Sequence, residues 1–238
     1  MIKAYVVFIG RDMAEGELRR LLPRVSPEKR ERAAQLRAAE DIQRLLIGDL
    51  LARFALSEML GVDPGGLEFS AGRLGKPELR GRPGVHFNIS HSGRYAVCVS
   101  GDEPVGIDVQ QAPEGRDFMK IAERFFRPDE RGYISSFPPG GHRLAAFTEI
   151  WAKKEAYVKR EGAGLALGLS AFGVLDAPNA EFHKILDERG AVCYVCASLG
   201  SAAPGVVRLS ADGFLYKYCR RERNMILYIR PAYRRGNI

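Results

Sequence analysis

The sequence contains no apolar run that approaches the ~18–20 residues needed to cross a bilayer. Its opening stretch, MIKAYVVFIG, is short and soon followed by charge, which predicts a first β-strand rather than a secretory signal. Only four cysteines occur, and their irregular spacing fits neither a disulfide framework nor a zinc site: Cys98, Cys193, Cys196 and Cys219. We therefore expect a cytoplasmic protein whose thiols are reduced.

A basic low-complexity tail and an aromatic-interleaved RNA-binding stretch are also missing. The chain is nevertheless basic, with a net charge of +7 and a pI of about 9.3. Such an excess favours anionic partners, which include nucleic acids, phosphorylated small molecules and acidic proteins. Charge alone does not choose among these classes.

The 238 residues are 46% hydrophobic, enough for one large domain or two small ones. A helix is predicted from the capping residue Ser26, followed by a core-facing helix that Gly61 ends, and a second long helix runs over 142–162. Because the order strand–helix–strands occurs twice, we predict an α+β fold of two similar halves, each with a long helix packed on a mainly antiparallel sheet. The break GDEP (101–104) suggests a division into residues 1–103 and 104–238.

Several shorter elements are predicted around these helices. Residues 85–101 form a hairpin that turns at Ser92-Gly93-Arg94, and residues 118–126 form a helix. Further short strands are expected in the last third of the chain, near 171–176, 192–198, 206–210, 214–219 and 225–230.

The stretch VGIDVQ (105–110) alternates branched apolar residues with a glycine, an acid and an amide. This period is that of a half-buried strand, on which Asp108 and Gln110 share one face and Gly106 leaves room beside them. A surface strand with its polar side in water would show the same pattern.

The second long helix carries another acid in an unusual setting. Glu155 lies one turn from Trp151 and one turn from Lys159, at the border of the apolar stripe. An ordinary surface Glu–Lys pair is the simple interpretation. The apolar, glycine-rich GAGLALGLS that follows indicates instead that this end of the helix packs against something specific.

Together these residues suggest a site for a phosphorylated ligand. Asp108 and Glu155 supply the hard oxygen ligands that suit Mg²⁺, and Ser90 and His91 offer hydrogen-bond donors at a strand end. Five cations are candidate phosphate partners: Lys29, Arg32, Arg44, Lys76 and Lys159. No Walker-type loop is present in the sequence. The two acids and the cations therefore suggest a site for a Mg²⁺-bridged pyrophosphate that differs from the phosphate sites of kinases and P-loop proteins.

Six motifs that occur in order over residues 26–176 resemble the 4′-phosphopantetheinyl transferases, in particular the longer, pseudo-dimeric type that activates peptide and polyketide synthases. They are SPEKRERAAQLRAAEDIQRLLIGDLLAR, GKP, FNISHSG, GIDVQ, RFFRPDE and WAKKEAYVKREGAGL. The resemblance implies two similar α/β halves with coenzyme A between them. It also implies transfer of the phosphopantetheine arm from coenzyme A to a carrier-protein serine, with adenosine 3′,5′-bisphosphate as the other product.

The resemblance further implies roles for individual residues. Asp108 and Glu155 would bind Mg²⁺, with Mn²⁺ as a substitute, and Lys159 would neutralise the pyrophosphate. Lys29 and Arg32 would contact the 3′-phosphate of coenzyme A. The rest of the coenzyme A site would be lined by Arg44, Gly75, Lys76, Ser90 and His91. The proton of the attacking serine would pass to Glu155, to Glu130 or to a water.

Two positions depart from the family pattern. Arg32 stands where the family often has lysine, and Gln110 stands where most bacterial relatives have a third acid. Gln110 keeps a carbonyl oxygen but lacks a charge, so we expect it to ligate Mg²⁺ weakly or through a water.

The partners expected from the resemblance are coenzyme A and acidic apo carrier proteins, and the protein is expected to be a monomer that binds neither nucleic acid nor membranes. A non-catalytic relative that binds coenzyme A or a carrier is an alternative that Gln110 makes thinkable. A basic nucleic-acid-binding protein fits the charge but not the motifs.

Overall fold

The structure is a computed structural model that describes residues 1–113, 117–164 and 167–222. Within those ranges the strands are β1 (Lys3–Phe8), β2 (Phe69–Ala71), β3 (Pro77–Leu79), β4 (His86–Ser92), β5 (Tyr95–Gly101), β6 (Gly106–Gln111), β7 (Ala180–Glu188), β8 (Ala191–Ser198) and β9 (Gly205–Ser210). The α-helices are α1 (Glu15–Leu21), α2 (Pro27–Gln35), α3 (Ala39–Leu60), α4 (Phe118–Phe125), α5 (Pro128–Ser135), α6 (Gly141–Glu161) and α7 (Ala211–Arg221).

The first half is a four-stranded sheet covered by the long helix α3. Its strand order is β4–β5–β1–β9, with antiparallel pairing except between β1 and β9. On β1, Tyr5 and Val7 point to α3, while Ala4 and Val6 point to the opposite face. Helix α3 ends at Gly61, whose φ of 71° is the left-handed conformation that glycine adopts at a helix C-terminus.

The second half repeats this plan with a three-stranded antiparallel sheet, β6–β8–β7, and the long helix α6. Helices α4 and α5 pack beside α6 around an aromatic cluster that includes Phe126, Phe147 and Trp151. The predicted α+β class and its two long helices are therefore confirmed.

The two sheets pack face to face, because one apolar cluster contains residues of both, among them Val6, Val97, Ile107 and Val195. The alternating apolar residues of β6 thus lie between the sheets, as the half-buried strand predicted. The opposite face of β6 meets α6. This arrangement places the polar residues of β6 beside the helix that carries Glu155.

The last described elements return to the first half. Strand β9 pairs in parallel with β1, and α7 packs on the same side of that sheet as α3. The division at residue 103 stays a prediction, and the sheet topology adds that residues 205–221 complete the first half.

Two strand predictions in the last third of the chain differ from the structure. Residues 214–219 lie in helix α7, and residues 171–176 form no strand. The long strand β7 was not predicted, and the strand expected at 225–230 lies outside the described residues. The strands near 192–198 and 206–210 are confirmed as β8 and β9.

All four cysteines are free thiols. Cys193 lies in the core between the sheets, whereas Cys196 faces α6, so the two point to opposite sides of β8. In the described ranges, no helix has the length and apolar character that crossing a membrane requires.

Candidate active site

Strand β6 and helix α6 approach each other closely because of one glycine. A Cβ atom on Gly106 would lie 2.0 Å from the carbonyl oxygen of Ala156 and 2.5 Å from the backbone nitrogen of Arg160. Only a residue without a side chain fits there. The close approach brings Glu155 and Lys159 on α6 within reach of the polar face of β6.

Asp108 is buried, with 2% of its surface exposed, and both of its carboxylate oxygens have partners. Oδ1 accepts a hydrogen bond of 2.8 Å from the Ser90 hydroxyl and forms an ion pair with the Lys159 ammonium. Oδ2 accepts a 2.7 Å hydrogen bond from Nε2 of Gln110. The predicted shared face of Asp108 and Gln110 is thus present, and the two side chains are in direct contact.

Glu155 faces the same space and, among the described residues, receives no hydrogen bond and no ion pair. Burial raises the pKa of Glu155, and the neighbouring Asp108 carboxylate raises it further, while Lys159 opposes both. The site therefore holds one acid that is fully bonded and one that has spare capacity for a cation or a proton.

A cleft of about 360 Å³ opens at this point, between the two halves. Elements of both halves line it, namely α2, α3, β3 and β4 from the first half and β6 and α6 from the second. Seven predicted site residues lie on its walls: Lys29, Ser90, His91, Asp108, Gln110, Glu155 and Lys159. The chain segments that supply them are up to 130 residues apart in sequence (29 to 159), so the fold brings them together.

Two predicted cations lie at the edge of this group. The Arg44 guanidinium donates to the Gly93 carbonyl oxygen (3.1 Å) and to Asp41 (2.6 Å). Arg32 is exposed on α2 and donates a 3.4 Å hydrogen bond to Gln35. Neither is among the residues that line the cleft.

Gly75 and Lys76 belong to the loop between β2 and β3. The Lys76 ammonium donates to the Arg160 carbonyl oxygen at 3.2 Å and so ties this loop to the end of α6. Loss of hydration lowers the pKa of Lys76. The next residue, Pro77, lines the cleft, which places the GKP loop at its rim. Gly75 has a φ of 80°, a conformation that favours glycine.

Glu130 is not brought to the cleft. It is completely buried, pairs with Lys154 at 2.8 Å, and accepts hydrogen bonds of 2.9 Å from the backbone nitrogens of Arg127 and Val174. Lys154 also donates to the carbonyl oxygens of Leu169 and Phe172, at 2.7 Å each. The contacts of Glu130 are those of a buried structural ion pair, and no contact supports its predicted catalytic role.

His91 retains solvent exposure but stands at the cleft wall beside cations. Partial desolvation, followed by the charges of Lys159 and Arg44, lowers the pKa of the His91 imidazole. The ring is therefore held in its neutral form more strongly than an ordinary histidine.

Some residues of the cleft were not predicted. Asn88 is buried beside Ser90, and Gly48 lets α3 approach β4, since a Cβ there would lie 3.3 Å from Ile89. Asn88, Ser90 and Ser92 alternate with the apolar residues of β4, and that polar face was the available signal for Asn88.

In the described part of the chain, no group of three His, Cys, Asp or Glu side chains could hold a metal ion. This agrees with an amide, rather than a third acid, at position 110. Two carboxylates and one amide oxygen remain, and they match the oxygen ligands that a hard divalent cation takes. The bonding capacity left on Glu155 fits such an ion, which would also offset the repulsion between the two acids.

Comparisons with known proteins agree with the motifs. Residues 13–103 match the N-terminal family of 4′-phosphopantetheinyl transferases, and residues 104–210 match the 4′-phosphopantetheinyl transferase superfamily. A 4′-phosphopantetheinyl transferase of Bacillus subtilis is 39% identical over 73% of this chain and 76% of its own length. The 4′-phosphopantetheinyl transferase Sfp of Bacillus subtilis strain 168 is 32% identical over 82% of this chain and 85% of its own, and psf-1 of Bacillus pumilus is 36% identical over 76% and 77%.

Proposed function

Because this chain belongs to the 4′-phosphopantetheinyl transferase superfamily and is a phosphopantetheinyl transferase of the Sfp type, we propose that its cleft binds coenzyme A and moves the phosphopantetheine arm onto a serine of an apo carrier protein. Adenosine 3′,5′-bisphosphate is the other product. The observation that carries the proposal is the cleft itself, where Asp108 and Glu155 meet Lys29, His91 and Lys159 between the halves.

The reaction replaces one phosphorus–oxygen bond by another. The carrier serine oxygen bonds to the β-phosphorus of coenzyme A, while the bond from that phosphorus to the oxygen bridging the two phosphates breaks. The serine proton goes to a base, and the bridging oxygen leaves with adenosine 3′,5′-bisphosphate. A serine hydroxyl is a poor nucleophile near neutral pH, so the site must remove that proton and balance the phosphate charge.

We assign Glu155 as the base that accepts the proton of the carrier serine, directly or through a water. Among the described residues its carboxylate has no competing hydrogen bond, so it can accept the serine proton while it also helps to hold a cation. Glu130 is buried in its pair with Lys154 and is left out of this role.

Asp108, Glu155 and the amide oxygen of Gln110 would hold Mg²⁺, for which Mn²⁺ could substitute. When bound, the ion supplies positive charge to the pyrophosphate oxygens. Lys159 adds a fixed charge from the protein, held against Asp108 by an ion pair and therefore oriented before the substrate arrives. Lys29 extends the basic wall of the cleft toward α2 and suits the 3′-phosphate.

The carrier is proposed to be an acidic domain of an acyl or peptidyl type, since a chain of net charge +7 attracts it over a distance. We further propose that the protein acts as a monomer in the cytoplasm.

The test is a panel of apo carrier proteins incubated with coenzyme A and Mg²⁺, read by mass spectrometry for the addition of one phosphopantetheine. Asp108→Asn and Glu155→Gln are each expected to lower the rate at least roughly 1,000-fold while thermal unfolding shows an intact fold. Glu161→Gln, on the exposed end of the same helix, is the matched control and should keep the wild-type rate.

Near-normal transfer by a folded Asp108→Asn or Glu155→Gln variant would remove that residue from the site. Binding of coenzyme A without any mass gain, across all carrier types, would instead favour the non-catalytic alternative.

A further inference from the structure

The buried ion pair of Asp49 and Arg53 lies on α3 at the base of the cleft, with its two residues one helical turn apart. Asp49 is 3% exposed and Arg53 is 6% exposed, and Nε of Arg53 donates to Oδ2 of Asp49 at 3.0 Å. Asp49 lines the cleft together with Lys29. It is not one of the groups that the proposed mechanism uses, so its buried charge has a different role.

The carboxylate of Asp49 reaches the start of helix α2. Its Oδ2 accepts a hydrogen bond from the backbone nitrogen of Ser26 at 3.3 Å. The Ser26 hydroxyl in turn accepts from the backbone nitrogen of Lys29 at 3.3 Å and caps the helix. Two hydrogen bonds therefore connect the ion pair to the residue whose ammonium belongs to the basic wall of the cleft.

Helix α2 buries very little of its own surface. Its nine residues are all described, and among them only the side chain of Ala33 is buried. In most helices, an apolar face packed on the core supplies both stability and orientation. In α2 the contacts at the N-terminus must supply much of the orientation, through the hydrogen bond from Ser26 to Asp49 and through Val25, which is buried just before the helix.

The guanidinium of Arg53 holds a second segment of the first half. Its Nη1 donates to the carbonyl oxygens of Leu67 at 2.9 Å and of Pro64 at 3.3 Å. Its Cζ atom lies 4.9 Å from the centre of the Phe69 ring. These residues lead into the hairpin of β2 and β3, in which Pro77 lines the cleft. One ion pair thus joins two wall-forming segments to α3.

We propose that Asp49 is a positioning residue that, paired with Arg53, holds the N-terminus of α2 so that the Lys29 ammonium faces the cleft and meets the 3′-phosphate of coenzyme A. The inference rests on the proposed function and adds to it a residue that acts through Lys29 rather than on the ligand. The cost of burying two charges offsets much of their attraction, so the contribution of the pair lies in the geometry that it imposes. A cation that is fixed before the ligand arrives loses less entropy on binding.

Asp49→Asn keeps the shape of the side chain but removes its charge, and so weakens the contacts with Arg53 and Ser26. With saturating apo carrier and Mg²⁺, we expect the KM for coenzyme A to rise roughly 5- to 10-fold, the size of one lost hydrogen bond, and kcat to stay within about twofold of wild type. With dephospho-coenzyme A, which lacks the 3′-phosphate, we expect the KM to change less than about twofold. A general loss of stability would not distinguish the two substrates.

A double-mutant cycle tests whether Asp49 acts through Lys29. In the Lys29→Ala background, Asp49→Asn should change the KM for coenzyme A by less than about twofold, because the ammonium that it positions is absent. Glu130→Gln is the matched control, since it also removes one charge of a buried ion pair, but in the other half. Its KM for coenzyme A should stay within about twofold of wild type.

Hydrogen exchange read by mass spectrometry gives a measurement that needs neither ligand nor turnover. The amides of residues 30–35 should exchange roughly fivefold faster or more in Asp49→Asn than in wild type, because the end of α2 is less firmly held. The amides of α6 should exchange at the wild-type rate.

If Asp49→Asn does not fold, as judged by thermal unfolding, the pair Ser26→Pro and Ser26→Ala takes its place. Both variants lose the capping hydroxyl, but only proline also lacks the N–H that donates to Asp49. The φ of −61° at Ser26 suits proline. Ser26→Pro should then show a KM for coenzyme A at least about threefold above that of Ser26→Ala.

Equal rises of KM with coenzyme A and dephospho-coenzyme A would overturn the inference, and so would independent effects of Asp49→Asn and Lys29→Ala. An unchanged KM in a folded Asp49→Asn variant would also count against it. A fall in KM would mean that the Asp49 carboxylate faces the phosphate directly and repels it. If the wild-type protein neither binds coenzyme A nor transfers from it, the proposed function fails, while the exchange of α2 still shows whether Asp49 holds the helix.

Discussion

Gln110 differs from glutamate by one charge, and its contact with Asp108 shows what that charge would disturb. Its amide nitrogen donates to Oδ2 of Asp108, so the neutral side chain stabilises an acid that a second carboxylate would repel. At about 4 Å and an effective dielectric of about 20, a charge–charge interaction is of order 4 kcal/mol before desolvation offsets it. The amide therefore favours the metal-free site and weakens the attraction for a cation.

Gln110→Glu should strengthen the binding of Mg²⁺ and lower the stability of the metal-free protein. The concentration of Mg²⁺ at half-maximal rate is expected to fall roughly 10-fold, equal to about 1.4 kcal/mol. The free energy of unfolding without metal is expected to fall by about 1.5–3 kcal/mol, since a hydrogen bond to a charged group is replaced by repulsion. Mg²⁺ titration of the rate and thermal melts with and without Mg²⁺ measure the two effects.

Gln111→Glu is the control for added charge, because this neighbour makes its side-chain hydrogen bond elsewhere, to the Arg189 carbonyl oxygen. If Gln110→Glu matched wild type in both Mg²⁺ dependence and metal-free melting, position 110 would not contribute to the metal site.

Lys29 and Arg32 share a helix, but only one of them reaches the cleft. Lys29 lines the wall, whereas Arg32 is exposed and bonded to Gln35. Lys29→Ala is therefore expected to raise the KM for coenzyme A roughly 10- to 100-fold, and Arg32→Ala less than about threefold. With dephospho-coenzyme A, which lacks the 3′-phosphate, the effect of Lys29→Ala should largely disappear.

Kinetics with the two substrates decide this point. Equal losses with coenzyme A and dephospho-coenzyme A would mean that Lys29 acts elsewhere, for example on the carrier. A larger effect of Arg32→Ala than of Lys29→Ala would mean that α2 moves when coenzyme A binds.

At the scale of single elements, the long helices and the strands of the cleft were predictable because strong local signals mark them. The Ser26 hydroxyl accepts from the Lys29 nitrogen as an N-cap, and Gly61 and Gly162 end α3 and α6 in the left-handed conformation. The alternation in β6 also identified Asp108 and Gln110 correctly as neighbours on one face.

Residues 214–219 of helix α7 were predicted as a strand, and Phe214, Tyr216 and Tyr218 do alternate with other residues in the sequence. In the structure Phe214, Leu215 and Tyr218 are buried, which is helical spacing, and the Ser210 hydroxyl caps the helix. A short apolar run fits the period of a strand as well as that of a helix. The packing of α7 against the first half therefore determines that this segment is helical. The ion pair of Glu130 with Lys154 could not be predicted from the sequence either, since the two residues are 24 positions apart (130 to 154) and meet only in the folded chain.

That ion pair joins three segments of the second half. It connects the start of α5, the middle of α6 and the residues that follow α6, because Glu130 and Lys154 together bond to Arg127, Leu169, Phe172 and Val174. Burial lowers the pKa of Lys154, and Glu130 opposes that shift. A buried charge that loses its partner is costly, typically about 3–5 kcal/mol.

Glu130→Gln is therefore expected to reduce the free energy of unfolding by about 3–5 kcal/mol, with kcat within a few-fold of wild type at temperatures where the variant is folded. The double variant Glu130→Leu/Lys154→Met should recover part of the stability, because it removes both charges. Urea unfolding and mass-spectrometric rates measure the two properties. Full stability combined with loss of transfer would restore a catalytic role for Glu130.

At the scale of the whole molecule, the site exists only because two halves meet. The sheets are joined along β4 and β6 by side-chain hydrogen bonds, and the cleft opens there with its cations on both sides. Neither half contains all of these groups, since Lys29 and His91 belong to the first and Asp108, Glu155 and Lys159 to the second. A macromolecular substrate must therefore approach the line between the halves.

Because the chain carries a net charge of +7, the encounter with an acidic carrier should depend on salt. The Debye length falls from about 10 Å at 0.1 M to about 3 Å at 1 M, so long-range attraction is lost while contacts inside the cleft persist. With coenzyme A saturating, kcat/KM for the carrier is expected to fall roughly 10-fold between 0.05 and 0.5 M NaCl, with kcat nearly constant. A carrier whose acids beside the serine are replaced by Asn and Gln should show a much flatter dependence, and equal slopes for the two carriers would mean that attraction between the basic surface and the acidic carrier does not govern their encounter.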